Sequence, residues 1–148
     1  MIILHKLYEF ALHLQNLVQI YCLFVRSILE FNSTVWFATI TEEEKDDLER
    51  VQKVACKILL NQRYESYSQA LAILKLENLE TRRQKMALSF GKKCTNNPKF
   101  SEMFPLKRDI GIEVRNREKY QVKFASHSRL MNSSIPEIQR LLNQDARK

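Results

Sequence analysis

Apolar residues recur at alternating steps of three and four near the start of the chain. This spacing places them along one face of a helix, so the pattern predicts one long amphipathic helix over residues 5–31. Asn32 and Ser33 interrupt the pattern, and we expect Trp36 to fill a gap between this helix and the next. The predicted buried stripe consists of Leu7, Phe10, Leu14, Leu17, Tyr21, Phe24 and Ile28.

A second helix is predicted from its start signal. Thr41 is followed three residues later by Glu44, which is the spacing of a capping box, and the acidic residues between and after them suit a helix N-terminus. We expect the helix to continue to about Leu60. Its inward residues are predicted to be Leu48, Val51, Ala55, Ile58 and Leu59, and its opposite side carries Arg50, Lys53 and Lys57.

Two further helices follow in the pattern. Ser66 can cap a short helix that runs through Leu74, and Asn78 or Thr81 can start a longer one that runs to about Lys93. The predicted apolar side of this longer helix consists of Leu79, Met86, Ala87 and Phe90.

Turn-forming residues concentrate at 95–111, which is therefore the predicted linker between domains. Residues 112–124 alternate in part between apolar and polar, which favours an extended segment. Ser134 is predicted to cap a last helix with Pro136 in its first turn, fraying after Asn143. The fold class predicted is mainly α: a bundle of about four helices at 1–94, and a loosely attached, basic, partly extended segment at 112–148 that ends in a short helix.

Charge is distributed unevenly along the 148 residues. Residues 1–49 carry 3 Lys and Arg against 8 Asp and Glu, whereas residues 50–148 carry 21 against 9. A basic surface of this kind attracts polyanions, above all nucleic acids, although a basic surface that only keeps the protein soluble explains the same composition.

Several functional classes lack their signatures in this sequence. The three cysteines are far apart and form no C-x-x-C pair, which is typical of reduced thiols in an intracellular protein, cytoplasmic or nuclear, and not of a zinc site. The apolar start is interrupted by polar residues too often for a membrane span or a signal peptide. No phosphate-binding glycine loop, metalloprotease motif or nucleophile–histidine pair is present. We predict no cofactor, no metal and no catalytic residue.

Four blocks in order resemble one protein family. Tyr21–Trp36 has the form Y-x4-R-S-x-L-E-F-x3-V-W, Leu48–Ala55 the form L-E-R-V-Q-K-x-A, and Leu76–Arg83 the form L-x-x-L-x-x-R-R. Ala125–Pro136, followed by Leu142–Asn143, contains S-x-I-P and a closing L-N. Together they resemble the region downstream of the polymerase domain in non-LTR (LINE-type, jockey-like) retrotransposon reverse transcriptases.

The resemblance implies a helical thumb or connection region that flanks an RNA-directed DNA polymerase. The aromatic-Ala-Asp-Asp motif of the family's polymerase is absent, and the only Asp pair, Asp46–Asp47, lies in a predicted first helical turn. Adjacent helical residues point about 100° apart, so this pair is not suited to hold two magnesium ions. The resemblance therefore implies a non-catalytic fragment whose partners are RNA or DNA and an upstream polymerase domain.

Two interpretations of the charged residues stay open at this stage. Arg26 and Glu30 can form an intrahelical pair, or Arg26 can contact phosphate, and Arg82 and Arg83 can pair with Glu49 or Glu80, or follow a nucleic-acid backbone. The alternative to nucleic-acid binding is a structural or protein-interaction module, or an inert remnant of a mobile element, that self-associates through an exposed apolar stripe. The nucleic-acid-binding candidates are Arg50, Lys53, Lys57, Arg82, Arg83, Arg115, Arg117, Lys119, Tyr120 and Lys123.

Overall fold

The computed structural model describes residues 6, 12–107, 118–122, 127 and 131–147. These residues belong to two compact units. The first takes its residues from Met1–Phe31 and Thr41–Arg82, and the second takes its residues from Asn32–Ile40 and Arg83–Lys148.

The first unit opens with a helix of mixed geometry. It comprises α1 (Leu14–Ile20), a π-helical segment (Tyr21–Arg26) and α2 (Ser27–Leu29). His13, with a ψ of 137°, is not helical, so the prediction of one uninterrupted helix over 5–31 is wrong at this residue. The helix ends before Asn32, which has a left-handed φ of 50° and therefore cannot continue it.

The π-helical segment changes which side chains face the interior. A π turn closes i→i+5 hydrogen bonds, so each such turn shifts the inward face relative to the α-helical spacing. Beyond Tyr21, which is buried, Arg26 and Glu30 turn towards the interior. Phe24 and Ile28 are 66% and 74% exposed, so their predicted place in the buried stripe is wrong.

The short helix α3 (Ser33–Trp36) comes next in the chain and belongs to the second unit. It is followed by α4 (Glu42–Leu60), the longest described helix of the first unit. The predicted capping box is confirmed: the Thr41 amide donates to Glu44 at 2.7 Å, and the Glu44 amide donates to the Thr41 hydroxyl at 3.2 Å. A 3₁₀ turn (Asn61–Arg63) follows α4. Of the five residues predicted to face inwards, Ala55 and Leu59 are buried, whereas Leu48, Val51 and Ile58 are half-buried.

Two more helices complete the first unit. α5 (Tyr67–Leu74) is capped by Ser66, as predicted, and α6 (Leu79–Thr95) begins where the Thr81 amide donates to the Asn78 side chain at 2.7 Å. The turns of α6 up to Arg82 belong to this unit. The core of the first unit consists of Leu17, Tyr21, Ala55, Cys56, Leu59, Leu60, Ala70, Leu74 and Leu76.

The second unit is built on the rest of α6 and on α7 (Ser134–Asp145). The two helices approach closely at Gly91, where a Cβ atom would lie 2.5 Å from Cγ2 of Ile138 and 3.2 Å from Cδ1 of Leu142. Phe90, predicted to be buried on α6, is instead exposed, because Gly91 occupies the inward position. The core consists of Phe37, Ala87, Cys94, Phe104, Ile138 and Leu142.

The residues predicted to form a linker contribute to this core. Phe104 follows a 3₁₀ turn (Ser101–Met103) and is buried against the second unit's apolar side chains. The boundaries between the units therefore fall after Phe31, Ile40 and Arg82, and not at 95–111. The reason is that Phe104 supplies a large apolar side chain to a small core, which the turn-rich composition around it does not reveal.

The mainly α fold with a short C-terminal helix is confirmed. Within the described ranges, β pairing is limited to one antiparallel bridge between Leu106 and Tyr120. The prediction of an extended 112–124 segment falls mostly outside the described residues. None of the helices formed by the described residues is both long and apolar enough to span a lipid bilayer.

Candidate nucleic-acid interface

Three basic residues lie along one side of α4. Arg50, Lys53 and Lys57 are spaced three and four residues apart, so their side chains follow one face of the helix. Arg50 and Lys57 are exposed, and Lys53 is half-buried. Arg50 forms a 3.0 Å ion pair with Asp47, in which both side chains are more than half exposed. Such an exposed pair is weak and opens readily to an incoming phosphate.

Two tyrosines lie beside these lysines. The Lys53 ammonium is 5.5 Å from the centroid of the Tyr67 ring, and the Lys57 ammonium is 5.6 Å from that of Tyr64. Both distances are within the range of cation–π attraction. We call Arg50, Lys53 and Lys57 with Tyr64 and Tyr67 the basic–aromatic face. The cations of this face are recognisable in the sequence by their helical spacing, whereas its two tyrosines are not.

A buried polar network fixes one of these tyrosines. The Tyr67 hydroxyl donates to a carboxylate oxygen of Glu49 and accepts from the Gln52 side-chain amide at 2.9 Å. Gln52 is fully buried; its amide also donates to the Glu77 carbonyl at 2.9 Å, and its oxygen accepts from Tyr21 at 2.8 Å. Burial, together with the hydrogen bond to Glu49, raises the pKa of Tyr67 above its ordinary value.

The same network anchors the start of α6. The second oxygen of the Glu49 carboxylate accepts a 3.0 Å hydrogen bond from the Leu79 amide, the first residue of that helix. A negative charge at this end complements the helix dipole. α4 and α6 are therefore joined by Glu49, which the sequence predicted only as a partner for Arg82 or Arg83.

Arg82 is occupied by an acidic partner inside the first unit. Its guanidinium donates two hydrogen bonds to the Glu30 carboxylate, at 2.6 Å and 3.1 Å. Hydrogen bonding to this carboxylate raises the pKa of Arg82. Arg26 lies 3.8 Å from the same carboxylate, so the predicted intrahelical Arg26–Glu30 pair is confirmed. The predicted pairing of Arg82 with Glu49 or Glu80 is therefore wrong. The π-helical shift is the cause, because it turns Glu30 inwards.

Arg83 is not available at the surface. It is only 2% exposed, and its guanidinium lies 5.8 Å from the ring centroid of Trp36, within the second unit. Its proposed contact with a nucleic-acid backbone is therefore excluded in this structure. The adjacent arginines have different environments because neighbouring helical positions face different directions.

Lys119 and Tyr120 lie together in the second unit. The Lys119 ammonium is 5.7 Å from the Tyr120 ring centroid, and Lys119 is exposed. Asn143 holds the backbone of Tyr120 with two hydrogen bonds: it accepts from the amide at 2.8 Å and donates to the carbonyl at 3.0 Å. This pair is a second, smaller site where a cation and an aromatic ring are presented together.

Arg115, Arg117 and Lys123 lie outside the described residues. Among the residues that are described, no group of three or more His, Cys, Asp or Glu side chains is arranged to hold a metal ion. Cys22, Cys56 and Cys94 are free thiols, and burial raises the pKa of each of them.

No family model, no curated protein and no solved structure matches this chain.

Proposed function

We propose that the protein binds RNA or DNA backbones without sequence preference through the basic–aromatic face of α4. In this proposal the chain is a non-catalytic, post-polymerase part of a non-LTR reverse transcriptase, as the resemblance of its four ordered blocks implies. Its task is to hold a polyanionic substrate while chemistry takes place on another domain.

The observation that carries the proposal is the pairing of cations and rings on one helix side. Lys53 and Lys57 supply charge for phosphates, and the rings of Tyr67 and Tyr64 beside them supply surfaces on which bases can stack. Arg50 extends the charge by one helical turn. Neither phosphate attraction nor stacking distinguishes one base from another, so binding of this kind tolerates any sequence.

The buried network supports the same function by limiting motion. Tyr67 is held by Glu49 and Gln52, so the face retains its shape before a ligand arrives. Preorganisation of this kind reduces the conformational entropy lost on binding. Arg82 and Arg83 have no part in the proposed face, because the first is paired with Glu30 and the second is buried.

Fluorescence anisotropy with mixed-sequence single-stranded RNA and DNA tests the proposal. The triple variant Arg50→Gln, Lys53→Gln, Lys57→Gln should bind about tenfold more weakly than the natural chain at low salt. A control variant removes the same charge from exposed positions of the second unit: Lys92→Gln, Lys93→Gln, Lys99→Gln. It should keep most of the affinity. No binding by the natural chain at low salt, or equal losses in both variants, would reject the role of α4.

The family assignment has a separate test. If the chain derives from a reverse transcriptase, the genomic sequence directly upstream of Met1 should encode, in frame, an aromatic residue followed by Ala-Asp-Asp. An unrelated upstream sequence in several copies of the element would argue against this origin, while the binding experiment would stand by itself.

A further inference from the structure

Large apolar side chains are exposed on the first helix of the first unit and in the turn that follows it. Leu23, Phe24, Ile28 and Phe31 have 67%, 66%, 74% and 72% of their surfaces accessible. Single exposed apolar residues are common on soluble proteins, but a contiguous group of this size is typical of an interaction surface. We call these four residues the apolar face.

The apolar face extends from the helix into the turn that follows it. Phe24 and Ile28 lie four residues apart on the helix, and Phe31 lies in the turn beyond Leu29, the last helical residue. Ser27, a small residue, lies between them on the same side and permits close approach. The apolar face exists because the π-helical segment turns Arg26 and Glu30 inwards in place of Phe24 and Ile28.

The apolar face can lose its water without leaving polar groups unsatisfied. The hydroxyl of Ser27 already donates to the Leu23 carbonyl of its own helix. The charged neighbours Arg26 and Glu30 are paired inside the unit, with side chains only 16% and 10% exposed. Burial of the face therefore incurs little desolvation cost.

We infer that the apolar face is the contact surface of a symmetric dimer, and that its occupant is the same face of a second copy of this chain. Two aromatic and two aliphatic side chains at this exposure present on the order of 500 Å². A two-fold pair would then bury on the order of 1,000 Å², which is about what a specific interface requires. The absence of charge among the four residues means that two copies meet there without repulsion, as an isologous contact demands.

Sedimentation equilibrium of the full chain over a wide concentration range tests this inference. The buffer should have moderate ionic strength, because two copies with a net charge of +7 repel each other at low salt. The mass should rise with concentration from the chain mass of 17.6 kDa and level off at twice that value. The double variant Phe24→Gln, Ile28→Gln should weaken the association at least about tenfold, with an unchanged circular dichroism spectrum.

Val54 and Ile73 provide the matched control, since both are exposed apolar residues elsewhere in the same unit. The variant Val54→Gln, Ile73→Gln should dimerise like the natural chain. A monomer at all concentrations would overturn the inference, and the partner of the apolar face would then be a different protein. A mass that grows beyond the dimer, or equal losses in both variants, would overturn it as well. None of these results bears on nucleic-acid binding by α4, so the two proposals fail separately.

Discussion

The hydroxyl of Tyr21 donates a 2.8 Å hydrogen bond to the side-chain oxygen of Gln52, and both residues are fully buried. This bond joins the π-helical segment to the middle of α4. It also completes the bonding of Gln52, whose amide group serves Tyr67 and the Glu77 carbonyl. A buried amide with three partners specifies how the surrounding helices pack, because any other arrangement leaves polar groups without bonds.

Removal of Gln52 should destabilise the first unit. The variant Gln52→Leu leaves the Tyr21 hydroxyl and the Glu77 carbonyl without this partner in a buried site, at a cost of about 1–3 kcal/mol in the free energy of unfolding. Tyr21→Phe should cost a similar amount. Because the two residues share a bond, the double variant should lose less than the two single losses combined, by about 1 kcal/mol. Urea denaturation of all four proteins measures this, and strict additivity would show that the bond contributes nothing.

Arg82 should act in stability and not in binding. Arg82→Met removes the guanidinium that donates two hydrogen bonds to the Glu30 carboxylate. We expect this loss to reduce the free energy of unfolding by about 1–3 kcal/mol. Arg50→Met removes only an exposed pair and should cost under about 1 kcal/mol. In the anisotropy measurement the order should reverse, with Arg50→Met binding more weakly than Arg82→Met. If Arg82→Met unfolds normally but loses RNA, then Arg82 belongs to the binding surface.

A single added methyl group at Gly91 should disturb the second unit. The new Cβ atom of Gly91→Ala would lie 2.5 Å from Cγ2 of Ile138, so α6 and α7 must move apart. We expect a loss of about 1–3 kcal/mol, although alanine is otherwise the better helix former. Ser89→Ala, at an exposed position of the same helix, is the control and should be neutral or slightly stabilising. Equal stabilities for the two variants would contradict the close packing.

Alkaline pH should weaken the fold by titrating buried groups. Burial raises the pKa of Cys56 from 9.0 to about 11, so the folded state holds its proton where the unfolded state has lost it. Stability from this group is present below pH 9 and is lost between pH 9 and 11, by about 2–3 kcal/mol. Burial also raises the pKa of Tyr21, which adds a loss that begins above pH 10.

Two variants separate these contributions in urea denaturation at several pH values. Cys56→Ala should reduce the decline between pH 9 and 11, leaving the part that the thiols of Cys22 and Cys94 contribute, and Tyr21→Phe should reduce only the decline at higher pH. A natural chain whose stability is constant from pH 8 to 11 would show that neither group is buried as the structure describes.

Local signals in the sequence predicted local structure well. The capping box at Thr41 and the caps at Ser66 and Asn78 need only residues within one helical turn, so these three helix starts followed from the sequence. The predicted cap of the last helix at Ser134 is wrong, because the cap residue is Ser133 and Ser134 is already helical.

The π-helical segment could not be predicted from the sequence, since its effect on Phe24 and Ile28 depends on tertiary packing. A pattern read with an α-helical period assigns these residues to the wrong side.

The candidate site was predicted only in part for a related reason. The cations of α4 share a helix and could be recognised by spacing, whereas Tyr64 and Tyr67 approach them from the following segment. Arg82 and Arg83 were indistinguishable in sequence, because only the fold pairs one with Glu30 and buries the other beside Trp36. Contacts between residues distant in the chain decide which charges remain for a ligand.

The salt dependence of single-stranded RNA affinity tests the central claim most directly. Each phosphate neutralised by a lysine or arginine releases counterions, so the logarithm of the association constant falls linearly with that of the salt concentration. Loss of Arg50, Lys53 and Lys57 together should make this slope shallower by about 2, whereas the control that removes Lys92, Lys93 and Lys99 should leave it nearly unchanged. Equal slopes for the α4 variant and the natural chain would contradict the assignment of phosphate contacts to α4.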